Sequence, residues 1–79
     1  MIHAKSANIH VHPYRKPGWK GWIIAISDPD TDETWQRLYY YKKDAEQLKA
    51  DIEGLSLRQV LYEFGTLYFE RVKRNELQP

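Results

Sequence analysis

At 79 residues the chain has room for one small domain, residues 1–79, whose core must be thin. It has no cysteine, which excludes disulfides and thiolate metal sites, and no apolar run long enough to cross a bilayer. The formal net charge of +1 selects no class of partner by itself. With no apolar signal core at Met1–Lys5, a cytoplasmic protein is expected.

Residues 1–6 read as a frayed end. Asn8-Ile9-His10-Val11-His12 alternates and predicts a first strand, with Ile9 and Val11 on one face. Pro13 and Pro17 bracket Tyr14-Arg15-Lys16, so this stretch belongs to an edge or a loop, because proline cannot donate to a ladder. Trp22–Ser27 is the most apolar segment and predicts a central strand. Asp28-Pro29-Asp30 opens a turn, and Thr34–Tyr41 predicts a third strand.

Ala45, Leu48 and Ile52 recur at helical spacing, which predicts a helix over Lys43–Glu53 stopped by Gly54. Ser56 reads as the N-cap of a second helix, with Gln59 three residues on. Two readings follow from there. In one the helix runs from Leu57 to about Arg74 with Gly65 inside it. In the other it ends at Phe64, and Thr66–Arg74 forms a fourth strand in which Leu67, Phe69 and Arg71 alternate. Either way the class is α+β: a three-stranded, or four-stranded, antiparallel sheet with two helices packed on one face.

Charge is segregated along the chain. Residues 1–27 carry Lys5, Arg15, Lys16 and Lys20 and no acid, whereas residues 28–33 carry Asp28, Asp30, Asp32 and Glu33 and no base. Arg37, Lys42 and Lys43 are basic again, and the first helix is acidic through Asp44, Glu46, Asp51 and Glu53. Such a chain presents patches of each sign.

Catalytic and metal sets are weakly signalled. His10 and His12 point to the same side of a strand, but zinc needs three or four ligands and no matched third position exists. Asp28-x-Asp30-x-Asp32 opens like a calcium loop, yet the sixth and twelfth places hold Glu33 and Tyr39 instead of Gly and Glu. Gly18-Trp19-Lys20-Gly21 lacks the Lys-Ser/Thr signature of a phosphate loop. No serine sits in a glycine-framed nucleophile turn. The expectation is a protein that is not an enzyme and needs no cofactor or metal.

The strongest signal is aromatic. On the third strand Trp35, Arg37, Tyr39 and Tyr41 share one face, and Gln36, Leu38 and Tyr40 share the other. Packing Leu38 and Tyr40 under the helices with Trp22, Ile24 and Ile26 turns Trp35, Arg37, Tyr39 and Tyr41 outward. Tyr14, Arg15, Lys16, Trp19 and Lys20 of the first hairpin extend that surface. Tyr, Trp and Arg are the types enriched at interface hot spots, so these nine residues are the expected partner-binding set.

Asn8-Ile9 and Val11, Leu48, Gly54-Leu55, and the tail Arg74-Asn75-Glu76 with Pro79 give the chain a likeness to a known family. It resembles small phage anti-CRISPR proteins, in particular a type I-F inhibitor with an antiparallel sheet and helices on one side. This resemblance implies docking on a nucleoprotein complex, a CRISPR surveillance complex, through Tyr14, Trp35, Arg37, Tyr39 and Tyr41, with loss of that complex's DNA binding. Three strands followed by Tyr41-Lys42-Lys43-x-Ala45-Glu46 also resemble the N-terminal arm-binding domains of integrases. That likeness implies a sheet-type DNA reader in which Arg15, Lys16, Lys20, Arg37 and Lys42 touch phosphates. The four acids of residues 28–33 favour a protein partner over DNA, and self-association through the sheet is a third reading.

Overall fold

The computed structural model describes residues 5–66 and 69–72. Strands β1 (Asn8–Lys16), β2 (Trp19–Ser27), β3 (Thr34–Tyr39) and β4 (Glu70–Val72) form one antiparallel sheet in that order. Helices α1 (Lys42–Ile52) and α2 (Leu57–Phe64) lie between β3 and β4 in the chain, and the class is α+β.

The β1–β2 hairpin is longer than the sequence pattern predicts. Its register runs from Asn8 opposite Ser27 to Lys16 opposite Trp19, leaving only Pro17-Gly18 to turn. Gly18 has φ +82°, a conformation that a side chain would strain, so the tight turn depends on it. Pro13 is tolerated within β1 because β1 lies at the end of the strand order and Pro13 needs no outward donor.

Ala45, Leu48 and Ile52 of α1 are buried, as their spacing requires. Gly54 follows the helix with φ +89°. The segment before β1 is tied to this loop. Ser6 Oγ donates to Gly54 O at 3.0 Å, and Ala7 N–H donates to Leu55 O at 2.8 Å. The frayed end expected over residues 1–6 is therefore corrected at Lys5 and Ser6, while residues 1–4 lie outside the described residues.

Ser56 caps α2 with a reciprocal box. Its Oγ accepts from Gln59 N–H at 3.2 Å, and its own N–H donates to Gln59 Oε1 at 3.1 Å. This pairing satisfies two donors that the first turn would otherwise orphan. The helix stops at Phe64. Gly65 takes φ +83°, and its N–H closes on Leu61 O at 2.9 Å. That overturns the long-helix reading and leaves the chain free to return as β4, with Val72 opposite Thr34 and Glu70 opposite Gln36. The expected Thr66–Arg74 strand is thereby shortened, since Thr66 and Phe69 are not part of it; residues 67–68 and 73–74, and the tail Arg74–Glu76 with Pro79, lie outside the described residues.

The core is one layer deep. Ile24 and Ile26 of β2 are fully buried against Ala45, Leu48, Ile52, Leu57, Val60 and Phe69. Each such side chain stabilises the fold by about 1.5–3 kcal/mol relative to exposure. Among the described residues no helix is long and apolar enough to cross a membrane.

The register of β2 with β3 corrects the expected faces. Trp22 lies opposite Tyr39, Ile24 opposite Arg37 and Ile26 opposite Trp35. Residues directly opposite across an antiparallel pair point to the same side. Trp35, Arg37 and Tyr39 therefore share the helix-covered face with Ile24 and Ile26, and Trp35 and Tyr39 pack against the core. Gln36, Leu38 and Tyr40 fall on the far face. The cause is the connection. Ser27 pairs with Thr34, so residues 28–33, an even number, lie between them. Even positions of β2 are then matched to odd positions of β3, whereas the sequence reading assumed the opposite parity.

Candidate functional site

The far face of the sheet differs between its two ends. Ile23 and Ala25 are buried there, flanked in register by His12 and Leu38 and by His10 and Gln36. Thr34, at the acidic-turn end, is also buried, its Oγ1 donating to Asp32 O at 3.1 Å. Exposure of large side chains on this face is concentrated toward the other end, where Leu38 is 40% and Tyr40 70% exposed.

Three rings meet at that hairpin end. Tyr14 and Trp19 have centroids 5.7 Å apart with planes at 53°, and Trp19 and Tyr40 have centroids 5.7 Å apart at 46°. Gly21 makes this possible. A Cβ there would stand 2.6 and 2.9 Å from Cη2 and Cζ2 of Trp19 and would also strike the Tyr39 carbonyl. The benzo ring of Trp19 thus rests on a strand position stripped of its side chain. Tyr14 lies directly opposite Gly21 in β1, and Tyr40 follows Tyr39 on the other side. The result is an indole floor between two inclined phenols. Tilted rings at this spacing are attractive pairs, each worth roughly 0.5–1.5 kcal/mol beyond burial.

Bases frame the rings. Lys16 pairs with Trp19 across the hairpin and shares its face; Arg15 and Lys20, opposite each other, occupy the reverse side of the same tip. All three are exposed. Lys42 adds a charge on the helix side, its Nζ 5.3 Å from the centre of the Trp22 ring. The acids of the 28–33 turn sit elsewhere. Asp28, Asp30, Asp32 and Glu33 follow the last residue of β2, whereas Trp19 is its first. The strand between spans roughly 26 Å at about 3.3 Å per residue. That is about three Debye lengths at physiological salt, so the acidic end does not screen the basic one.

The nine residues expected to bind a partner are therefore divided. Tyr14, Arg15, Lys16, Trp19 and Lys20 gather at the hairpin end. Trp35 and Tyr39 pack on the core, and Arg37 is half-buried with its guanidinium 5.0 Å over the Tyr39 ring. Trp35 also donates its indole N–H to Glu33 Oε2 at 2.7 Å. Tyr41 is exposed but leaves the sheet as the N-cap residue of α1, with Lys43 Nζ 5.9 Å over its ring. Tyr40 and Leu38 are the far-face residues the sequence reading assigned inward. Gly21 near a tryptophan is the local signal for the ring cluster, whereas the face taken by Leu38 and Tyr40 is set by the pairing of Ser27 with Thr34.

Among the described residues no group of three or more His, Cys, Asp or Glu is placed to hold a metal ion. A groove of about 240 Å³ on the helix side is lined by Tyr39, Asp44, Gln47, Leu48, Asp51 and Phe64. Its Gln47 side chain donates to Asp51 at 3.0 Å, an exposed contact within one helix face. The chain matches no family model, no curated protein and no solved structure.

Proposed function

We propose that the chain is a non-enzymatic binding module that engages a nucleic acid with the hairpin end of its sheet. One observation carries this reading. Lys16 shares the face of the Tyr14–Trp19–Tyr40 cluster and Arg15 and Lys20 stand on the reverse of the same hairpin tip, while the four acids of the 28–33 turn lie at the opposite end of β2. The exposed cations supply phosphate contacts, and the half-buried Tyr14 and Trp19 with the exposed Tyr40 supply ring surface for bases. The acids weigh against DNA only if they share the binding surface, and the length of β2 removes them from it. A net charge of +1 is then no obstacle, because the partner meets a local field and not the total.

The test is binding of a labelled random-sequence DNA, followed by fluorescence anisotropy at low and near-physiological salt. The expected result is a micromolar complex whose affinity falls as salt rises, and falls further in a Lys16→Glu, Lys20→Glu variant. Absence of binding at low salt would contradict the reading.

A second reading is a protein-binding inhibitor that docks on a nucleoprotein complex. The exposed Leu38 beside Tyr40 favours it, since an aliphatic side chain next to aromatic anchors is the composition of a protein interface. Its docking residues are then Tyr14, Trp19, Leu38 and Tyr40, because Trp35 and Tyr39 are engaged with the core.

A further inference from the structure

We infer that the hairpin end takes an unpaired strand, with a base stacked on Trp19 between Tyr14 and Tyr40. This rests on the nucleic-acid reading above and names which form of nucleic acid the same surface accepts.

A basic hairpin that only tracks phosphates needs lysines and arginines at its tip and nothing beneath them. Here a glycine, Gly21, is placed within β2, where it weakens the strand, and the space it leaves is filled by the Trp19 ring. One side of the indole lies on the strand, and the other is turned away from it. The planes of Tyr14 and Tyr40 are inclined to the indole by 53° and 46°, so the three rings are not coplanar. Tyr40, at 70% exposure, retains most of its ring surface for a ligand.

A duplex presents phosphates and sugars outside and only base edges in its grooves, so it offers no π-face to these rings. An unpaired base does offer one, and stacking on a protein ring tolerates any base. Two other flat or apolar occupants fit the shape: a proline-rich segment or a cationic group. Charge selects among the three. Lys16 stands across the hairpin from Trp19, with Arg15 and Lys20 on the reverse of the tip, and no acid lies within residues 10–22. A cationic ligand would be repelled, and a neutral proline segment would leave the bases without a partner. The phosphates flanking an unpaired base meet them.

The experiment compares three probes of equal length on the intact chain: oligothymidylate, an abasic strand with the same phosphates, and a blunt mixed-sequence duplex. Oligothymidylate should bind about tenfold more tightly than the abasic strand, the size expected from one stacked base. It should also bind more tightly than the duplex and quench tryptophan emission, which the abasic strand should not. Trp19→Leu should remove both the tenfold preference and the quenching while leaving the salt dependence unchanged. Tyr40→Ala, at an exposed position, should reduce the preference in a protein that remains folded, its melting temperature lowered by no more than the lost ring pair with Trp19 accounts for. Equal affinity for oligothymidylate and the abasic strand, or tighter binding of the duplex, overturns the stacking inference while leaving the nucleic-acid reading intact. No binding of any probe, with quenching by a neutral proline-rich peptide instead, overturns both.

Discussion

The two ends of β2 are built from opposite materials. At its last residue the chain enters a turn that is stitched to itself. Asp28 N–H donates to Glu33 O at 2.9 Å, Asp32 N–H to Asp28 O at 3.1 Å, and Asp30 N–H to the Asp28 carboxylate at 2.7 Å. Trp35 then ties the turn to β3 through Glu33, and Lys5 reaches Asp30 at 3.2 Å. At its first residue the chain turns on Pro17-Gly18, and the tip carries a cluster of rings with Lys16 on one face and Arg15 and Lys20 on the other. The acidic end uses its polar groups to hold a loop shape. The basic end leaves its cations exposed. A surface whose charges are already engaged in its own loop serves stability, and one whose charges stand in solvent serves a partner. Stability and binding should therefore separate along one strand.

The largest expected effect falls on the stitched end. Trp35→Ala removes both a half-buried ring and the bond to Glu33, and should destabilise the fold by about 3 kcal/mol in chemical denaturation. A loss below about 0.5 kcal/mol, the range of an exposed site, would return Trp35 to the outward face. Next comes the open end. Lys16→Glu with Lys20→Glu should lower DNA affinity at least tenfold, about 1.4 kcal/mol, with an unchanged melting temperature. If melting falls and affinity does not, the comparison is reversed. Asp28→Ala removes the acceptor of the Asp30 N–H and should cost about 1 kcal/mol of stability, with DNA affinity per folded molecule unaltered. Smallest is Asp30→Asn, which breaks the exposed pair with Lys5 and should change stability by less than about 0.5 kcal/mol. A larger shift would mean that the ion pair, and not the hydrogen-bonded backbone, holds the acidic turn.

Local chemistry was readable before the structure. The Ser56–Gln59 box, the glycine after α1, and the burial of Ala45, Leu48 and Ile52 all follow from residue type and spacing, because each depends on neighbours within one turn. The orientation of β3 was not readable in the same way. Period-two alternation sorts Trp35, Arg37 and Tyr39 from Gln36, Leu38 and Tyr40, but it does not say which set meets the helices. That choice is made by pairing register across the 28–33 connection, a non-local property. Bulk misled here, since tyrosine and tryptophan suit a core as well as an interface. Gly65 misled for a related reason. In an otherwise helical pattern it was readable either as a tolerated flaw or as a stop, and only the return of the chain to pair with β3 distinguishes them. Tyr14, Lys16 and Trp19 come together because they fall on one face of a single two-stranded unit with a two-residue turn.

The most direct test of the hairpin end as the binding surface is a backbone amide map by NMR during titration with oligothymidylate at low salt. Shifts should cluster at Tyr14, Lys16, Trp19, Lys20 and Tyr40, with the amides of residues 28–33 unmoved. Shifts confined to α1, α2 or the acidic turn would contradict it, as would no shift anywhere.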